Sequence, residues 1–419
     1  MHVLDYADVN TRVNRTILDN GIRVVTERMP FVRSVSVGAW IYAGSCNETI
    51  ENNGISHFLE HMLFKGTTNR NAREIASSLE SLGGGLNGST GKEITIYTAH
   101  AMDEHVEIAV DVLSDILLHS KFDPKDIKLE KQVILAEINH ALEDPEELLL
   151  DHFYQDLYAN HPLGYFIYGS PENVSRFDEN DLRSYLENQY TGNRIVVAAA
   201  GNVDHDHFVD LVSKYFQLSR PVLGTFDPGP LTDDRIIQNT IELDTIQQGH
   251  ICMGVRTFGY NDPKKYPLVL LDVLLGGGMS SRLFQNIREK YGFAYNVYSF
   301  TDIMRDTGVF AVYMACSEKK IERSIELIRK EFKRLLDKPV SNFELDKLKS
   351  QVRGNILLGL ESSGRRMRKI GENEIYNGHH NSVDTVLGKI NAVTPIELCD
   401  LANELFQEPN FTLTLLTPC

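Results

Sequence analysis

Apolar and polar positions along the chain change period in a regular order. Thr16–Leu18 and Ile22–Thr26 alternate on either side of Asp19-Asn20-Gly21, whose residue types tolerate positive φ, and together they predict a β-hairpin. Ser34–Ala43 (SVSVGAWIYA) and Ile94–Ala99 also read as strands. Helical spacing predicts helices over Glu74–Leu82, Glu104–Leu118 and Pro124–His140. The same order then returns. Gly249–Arg256 is similar to the Ser34 strand and Gly308–Ala315 to the Ile94 strand, while Val106–Leu118 is answered by Ile321–Leu336. Two later pairs, Leu129 with Leu348 and Asn193 with Asn410, are separated by 219 and 217 residues. Recurrence of several elements in one order is the mark of an internal duplication. The expected fold is α+β: two homologous α/β domains, each a mainly antiparallel sheet with helices packed on one face, joined by an extended linker. The expected boundaries are 1–217, a linker over 218–239 that holds Pro221, Gly224, Pro228, Gly229 and Pro230, and 240–419.

Within the first half, Asn53-Gly-Ile-Ser-His57-Phe-Leu-Glu60-His61-Met-Leu-Phe64 concentrates chemistry on one helical face. Ile55, Leu59, Met62 and Leu63 share a sector, and His57, Glu60 and His61 share the opposite one. Residues four apart on a helix are neighbours, so His57 and His61 can aim imidazole nitrogens at one ion. Glu60, on the same face, is placed to act as a general base rather than a ligand. A solvated surface helix gives the same histidine pair, but not the interleaved carboxylate with an apolar opposite face.

A catalytic zinc usually takes three protein ligands. Asp123-Pro124 opens a helix that carries Glu130 and Glu137 two turns apart, on a stripe shared with Val133 and Ile134. Carboxylates among aliphatic residues need partners. The reading gives Glu137 to the metal. Glu130 either orients a ligand or forms a structural salt bridge with Lys or Arg.

Composition narrows the classes. The chain has 419 residues, 42% of them hydrophobic and 24% charged, with no apolar run of membrane-spanning length. A net charge of −16 disfavours nucleic acid and anionic membranes as partners. The five cysteines are scattered, with no CxxC pair, as expected of free thiols in a reducing compartment. The start lacks a basic segment followed by an apolar one, so the expected location is the cytoplasm rather than the mitochondrial matrix. Gly85–Lys92 fails as a P-loop, because Glu93 stands where Ser or Thr is needed.

On these residues the chain resembles the pitrilysin, insulinase and mitochondrial processing peptidase family of zinc metallopeptidases, in particular its bacterial processing-peptidase-like members. His57–Thr67 is similar to the family's core box, and the resemblance runs the length of the chain. It implies a zinc endopeptidase acting on peptides, with one Zn²⁺ per chain on His57, His61 and Glu137. It implies Glu60 as base and Glu130 as a supporting acid. Leu86-Asn87-Gly88-Ser89-Thr90 resembles the strand that binds substrate, which implies roles for Asn87, Gly88 and Ser89, although Gly88 stands where alanine is usual. Ser281–Tyr295 resembles the segment that supplies an arginine and a tyrosine, which implies that Arg288 holds peptide backbone and Tyr295 steadies the oxyanion. No HxxEH recurs in the second half. Two such domains per chain imply a homodimer, or a heterodimer with a non-catalytic homologue. A non-catalytic structural or partner subunit of the same fold is the alternative reading.

Overall fold

The computed structural model describes residues 13–218, 228, 229, 231 and 236–419; the stretch 1–12 and most of the expected linker 218–239 lie outside them. β1 (Val13–Ile17) and β2 (Arg23–Arg28) form the expected hairpin, turning through Gly21 at φ 88°. With β3 (Ser34–Ile41), β4 (Gly85–Thr90), β5 (Thr95–Met102) and β6 (Ile195–Gly201) they make a sheet of order β1-β2-β6-β3-β5-β4. β7 (Gln238–Leu243), β8 (Gly249–Phe258), β9 (Ala294–Ile303), β10 (Thr307–Cys316) and β11 (Thr412–Pro418) make a second, of order β7-β11-β8-β10-β9. Each sheet is antiparallel except at one pair, β2–β6 in the first and β7–β11 in the second. With β1 set aside, the two orders correspond strand for strand, parallel pair included, as a duplicated chain requires.

The helices of the first half are α1 (Ile55–Leu63), α2 (Ala72–Glu80), α3 (Val106–His119), α4 (Pro124–Glu143), α5 (Pro145–Leu157), α6 (Pro171–Arg176), α7 (Glu179–Gln189) and α8 (His205–Tyr215). Those of the second are α9 (Lys265–Leu275), α10 (Ile321–Asp337), α11 (Asn342–Gly359), α12 (Ser363–Asn377), α13 (Val383–Ala392) and α14 (Pro395–Leu405). Among the described residues no helix is long and apolar enough to cross a membrane.

Two compact units emerge, and they are not the sequential halves. Among the described residues, one unit comprises those up to 138, 165–229 and 358–383; the other comprises 139–164, 230–357 and 384–419. The expected division into 1–217 and 240–419 is therefore corrected in two segments, which carry α5 and α12. These helices begin 218 residues apart, at Pro145 and Ser363, so duplicated counterparts have changed places. The expectation of helices on a single face is corrected with it. In the first unit α3 packs on β3 and β5, and α12 packs on β2, β3 and β6. Met367, Ile370 and Ile375 of α12 join Val25, Trp40, Ile94, Val196 and Ala198 in one apolar cluster. Trp40 lies so close to Gly371 that a Cβ there would meet its ring at 2.5 Å. The next residues of β3, Val35, Val37, Ala39 and Ile41, are fully buried on the opposite side of the sheet. A central strand covered on both faces has no polar side, and this is why β3 is apolar almost throughout. In the second unit α5 packs on β8 and β11, where Asp156 accepts a 2.7 Å hydrogen bond from Thr414.

Candidate metal centre

α1 begins at Gly54, whose φ of 100° suits glycine and whose missing side chain leaves no cap of its own. A Cβ there would lie 2.7 Å from the Tyr168 carbonyl oxygen and 2.9 Å from Gly169, so the loop at 168–169 closes directly over the helix start. The first turn is capped from a distance. The buried Glu48 carboxylate accepts 2.8 Å hydrogen bonds from the backbone N–H groups of Gly54 and Ser56 and from the Asn53 amide. Ile55, Leu59, Met62 and Leu63 are buried, as the helical wheel predicts; Phe58 is buried with them, and together they fix the rotation of the helix.

That rotation brings His57 and His61 together. Their Nε2 atoms are 3.3 Å apart, and Glu137 from α4 places one oxygen 3.7 Å from His57 Nε2 and the other 3.4 Å from His61 Nε2. The three ligand atoms lie within 4.8 Å of one another. Two imidazole nitrogens and a carboxylate converging on one point is the donor set of a catalytic zinc site, and the residues fit that ion. The His61 Nδ1–H donates to Glu130 Oε1 at 2.8 Å, which turns the Nε2 lone pair toward His57 and Glu137. Lys65 Nζ holds the other Glu130 oxygen at 2.6 Å. The two readings left open for Glu130 are thus both present: it pairs with a lysine and orients a histidine. His57 Nδ1 is buried without a hydrogen-bond partner.

The electrostatics agree with this division. Burial, and then His61, push His57 down to about 4, so its ring is neutral at pH 7 with a lone pair free. Burial works against the charged form of His61 too, but its hydrogen bond to Glu130 and the charges of Glu137 and Glu60 raise its pKa overall. Glu130 is also opposed by burial, yet the hydrogen bonds to His61 and Lys65 hold it below the ordinary carboxylate range. Glu137 departs from expectation: its side chain is 47% exposed and Val133 is exposed beside it, whereas Glu130 is only 4% exposed. The stripe on α4 dips into the protein at Glu130 and Ile134 and leaves it again at Val133 and Glu137.

Glu60 turns toward the edge strand β4. Its Oε2 accepts a 2.7 Å hydrogen bond from Thr90, and burial raises its pKa against that bond. A Cβ at Gly88 would lie 2.6 Å from Glu60 Oε1. The glycine where alanine is usual therefore makes room for the carboxylate. In the register of β4 on β5, Gly88 and Thr90 share a face with Tyr97 and Thr95, while Asn87 pairs with Thr98 on the other. Strand alternation thus puts Asn87 and Ser89 on the face away from Glu60. Arg288 and Tyr295 belong to the second unit. Arg288 sits in a π-helical turn, Phe284–Glu289, a form frequent at functional sites, and its guanidinium lies 5.4 Å from the ring centre of Tyr295, which is 83% exposed.

Sequence reasoning missed Glu48, Lys65 and Thr90. Lys65 sits four residues after His61, a spacing that points both to one helical side, and was legible in principle. Glu48 and Thr90 act across loops and carry no local signal.

Comparisons with known proteins follow the same lines. Residues 23–170 match the profile of Insulinase (Peptidase family M16), and residues 176–352 match that of the Peptidase M16 inactive domain. The chain is 38% identical over 97% of its length, and 98% of the other protein, to the uncharacterized zinc protease YmxG of Bacillus subtilis. A crystal structure of a protease from Helicobacter pylori is similar at TM-score 0.91 and 22% identity, covering 97% of this chain and all of that one. A chain of complex III₂ from Candida albicans, with Inz-5 bound, is similar at TM-score 0.81 and 22% identity over 97% and 96% of the two chains. At such identities these structural likenesses speak for the fold alone.

Proposed function

The chain belongs to the insulinase family of peptidases, family M16, and from that premise we propose that it is a zinc-dependent endopeptidase acting on extended or unfolded peptides. The observation that carries this reading is the convergence of His57, His61 and Glu137 within 4.8 Å, with Glu60 on the same helix. Those three residues would hold one Zn²⁺. Bound zinc supplies Lewis acidity that lowers the pKa of a water to about 7. Glu60 takes a proton from the attacking water and returns it to the leaving amine, and its partly buried position favours proton uptake. Glu130 keeps the His61 ring turned to the metal. β4, an edge strand, offers its free hydrogen-bonding edge to a substrate strand, with Asn87, Gly88 and Ser89 along it. Arg288 binds peptide backbone and Tyr295 donates to the oxyanion. The protein works as a homodimer, which native mass spectrometry tests; a mass that includes a different subunit points to the heterodimer instead.

The same fold occurs in a complex III chain from Candida albicans, and a non-catalytic subunit is the competing reading. The full set of His57, Glu60, His61 and Glu137 supports the enzyme. Wild-type protein is expected to carry one equivalent of zinc and to cleave an unstructured peptide. Glu60→Gln is expected to keep the zinc and to lose turnover by about 10²–10⁴-fold. Atomic absorption beside peptide hydrolysis decides it: no cleavage by the zinc-loaded wild type sinks the reading, and loss of zinc in the variant makes Glu60 a ligand.

A further inference from the structure

On the face of the first sheet away from Glu60, an open cavity of about 650 Å³ lies under the end of β4. Ser36, Gly85, Asn87 and His100 line it from the sheet, and Arg365 and Arg368 from α12. None of its lining residues is acidic, in a chain that carries 58 acidic residues and 42 Lys plus Arg. Both arginines are exposed, and among the described residues neither guanidinium forms an ion pair. Glu372, one turn along α12, interacts with Arg368 through its charge. The hydroxyls and imidazole beneath are already engaged with one another: Ser36 Oγ lies 3.0 Å from both His100 Nδ1 and Ser363 Oγ. The two guanidinium groups are therefore the cationic groups that the cavity offers a ligand, beside the Asn87 amide, the Thr98 hydroxyl and His100 Nε2.

Position along β4 says what that ligand is. A peptide that adds to the free edge of β4 alternates its side chains between the sheet's two faces. Residues beside Gly88 and Thr90 reach Glu60; residues beside Asn87 and Gly85 point to the cavity. Gly85 is three residues from Gly88, or about 10 Å along a strand. We propose that the cavity is a substrate subsite for a carboxylate, held by Arg365 and Arg368, two to four residues to one side of the scissile bond. The ligand is an acidic side chain of the peptide; a free C-terminal carboxylate of a short peptide offers the same chemistry. Antiparallel addition to β4 puts this residue on the C-terminal side of the cut bond, and parallel addition puts it on the N-terminal side. The proposal rests on the peptidase reading above, in which β4 receives the peptide.

The test scans Glu against Gln at each position flanking the cleavage site of one quenched fluorescent peptide. A second pair of peptides compares a free C-terminus with its amide. Within wild type, Glu is expected to exceed Gln in kcat/KM by about 5-fold at one position, as for a partly exposed ion pair. An effect seen only with the free C-terminus assigns the carboxylate to the peptide end. The ratio is expected to fall to about one in Arg365→Ala/Arg368→Ala and to survive in Arg365→Lys/Arg368→Lys, with thermal melting as the check on folding. Reading the ratio within each protein cancels any general loss of activity. Cleavage with no preference, or with the same preference in the alanine variant, overturns the subsite and leaves the peptidase reading intact. Absence of zinc-dependent cleavage by wild type counts against the peptidase reading. The subsite is then judged by fluorescence anisotropy of the same Glu and Gln peptides on metal-free protein: equal affinities overturn it, and a Glu preference that the alanine variant loses supports it.

Discussion

Glu130 and Glu137 lie seven residues apart on α4 yet keep different company. Glu130 is buried between Lys65 and His61, whereas Glu137 reaches the two Nε2 atoms from a half-exposed position. On the proposed zinc site, removing the charge of Glu137 would take away a ligand, while removing that of Glu130 would loosen a ligand's orientation, an effect typically worth about 10–100-fold in metal affinity or activity. Chelator competition is therefore expected to rank zinc affinity as wild type, then Glu130→Gln, then Glu137→Gln. The opposite order of the two variants exchanges their roles. Tyr295 poses a different question at the same scale. It is exposed, and its ring sits near one guanidinium. If its hydroxyl donates to the oxyanion, Tyr295→Phe lowers kcat by about 10²–10³ and leaves KM and zinc content unchanged. Steady-state kinetics with wild-type kcat in that variant remove Tyr295 from the site.

Helix α1 shows how an element is held for chemistry. Its apolar face fixes rotation, and Glu48 fixes where it begins. The Glu48 carboxyl is fully buried, and burial raises its pKa from 4.5 to about 7 against the pull of its hydrogen bonds from Ser56, Gly54 and Asn53. The folded protein then keeps this proton at pH values where the unfolded chain has lost it. The contribution of Glu48 to stability is present in full below pH 4.5 and is lost as pH rises through 7, by at most about 3 kcal/mol. Urea unfolding of metal-free wild type and Glu48→Gln between pH 4.5 and 8 measures this. The stability of wild type relative to the variant is expected to fall across that range. A difference that is flat, or that rises with pH, means that the donors keep the carboxylate ionised even in mild acid.

At the scale of the molecule, the exchange of α5 and α12 decides what folds with what. All the candidate metal groups lie before residue 138, so residues 1–217 contain the whole candidate metal centre in sequence. They lack α12. Without it Trp40 loses Met367, Ile370 and Gly371, and the buried Glu27 loses its ion pair with Arg366. Glu374, also fully buried, leaves Arg15 without its 2.9 Å partner. Breaking one buried pair by removing a partner costs about 3–5 kcal/mol, a large part of a domain's stability. A fragment of residues 1–217 is expected to show no cooperative thermal transition and less than one equivalent of zinc, and fusion of 358–383 to it is expected to restore both. A cooperative transition in the unfused fragment shows instead that α12 is dispensable to the first unit.

The sequence alone determined the elements and their repetition, because turn chemistry and hydrophobic period act within a few residues. Asp19-Asn20-Gly21 places the first hairpin, and strict i, i+4 geometry puts His57 and His61 on one side of α1 whatever surrounds it. The resemblance of His57–Thr67 and the recurrence of strand order made the family and the doubled fold legible as well. Tertiary structure decided the rest, because the deciding contacts join residues far apart in the chain. α12 is rich in charge, yet Arg366 and Glu374 are buried in it because Glu27, Arg15 and Arg23 await them. The period of β3 cannot tell which helix covers its second face. Nor can the spacing of α4 tell that Glu137 surfaces while Glu130 does not. The place of Glu60 against Gly88 and Thr90 follows from a strand that begins more than twenty residues later, and only packing brings the two together.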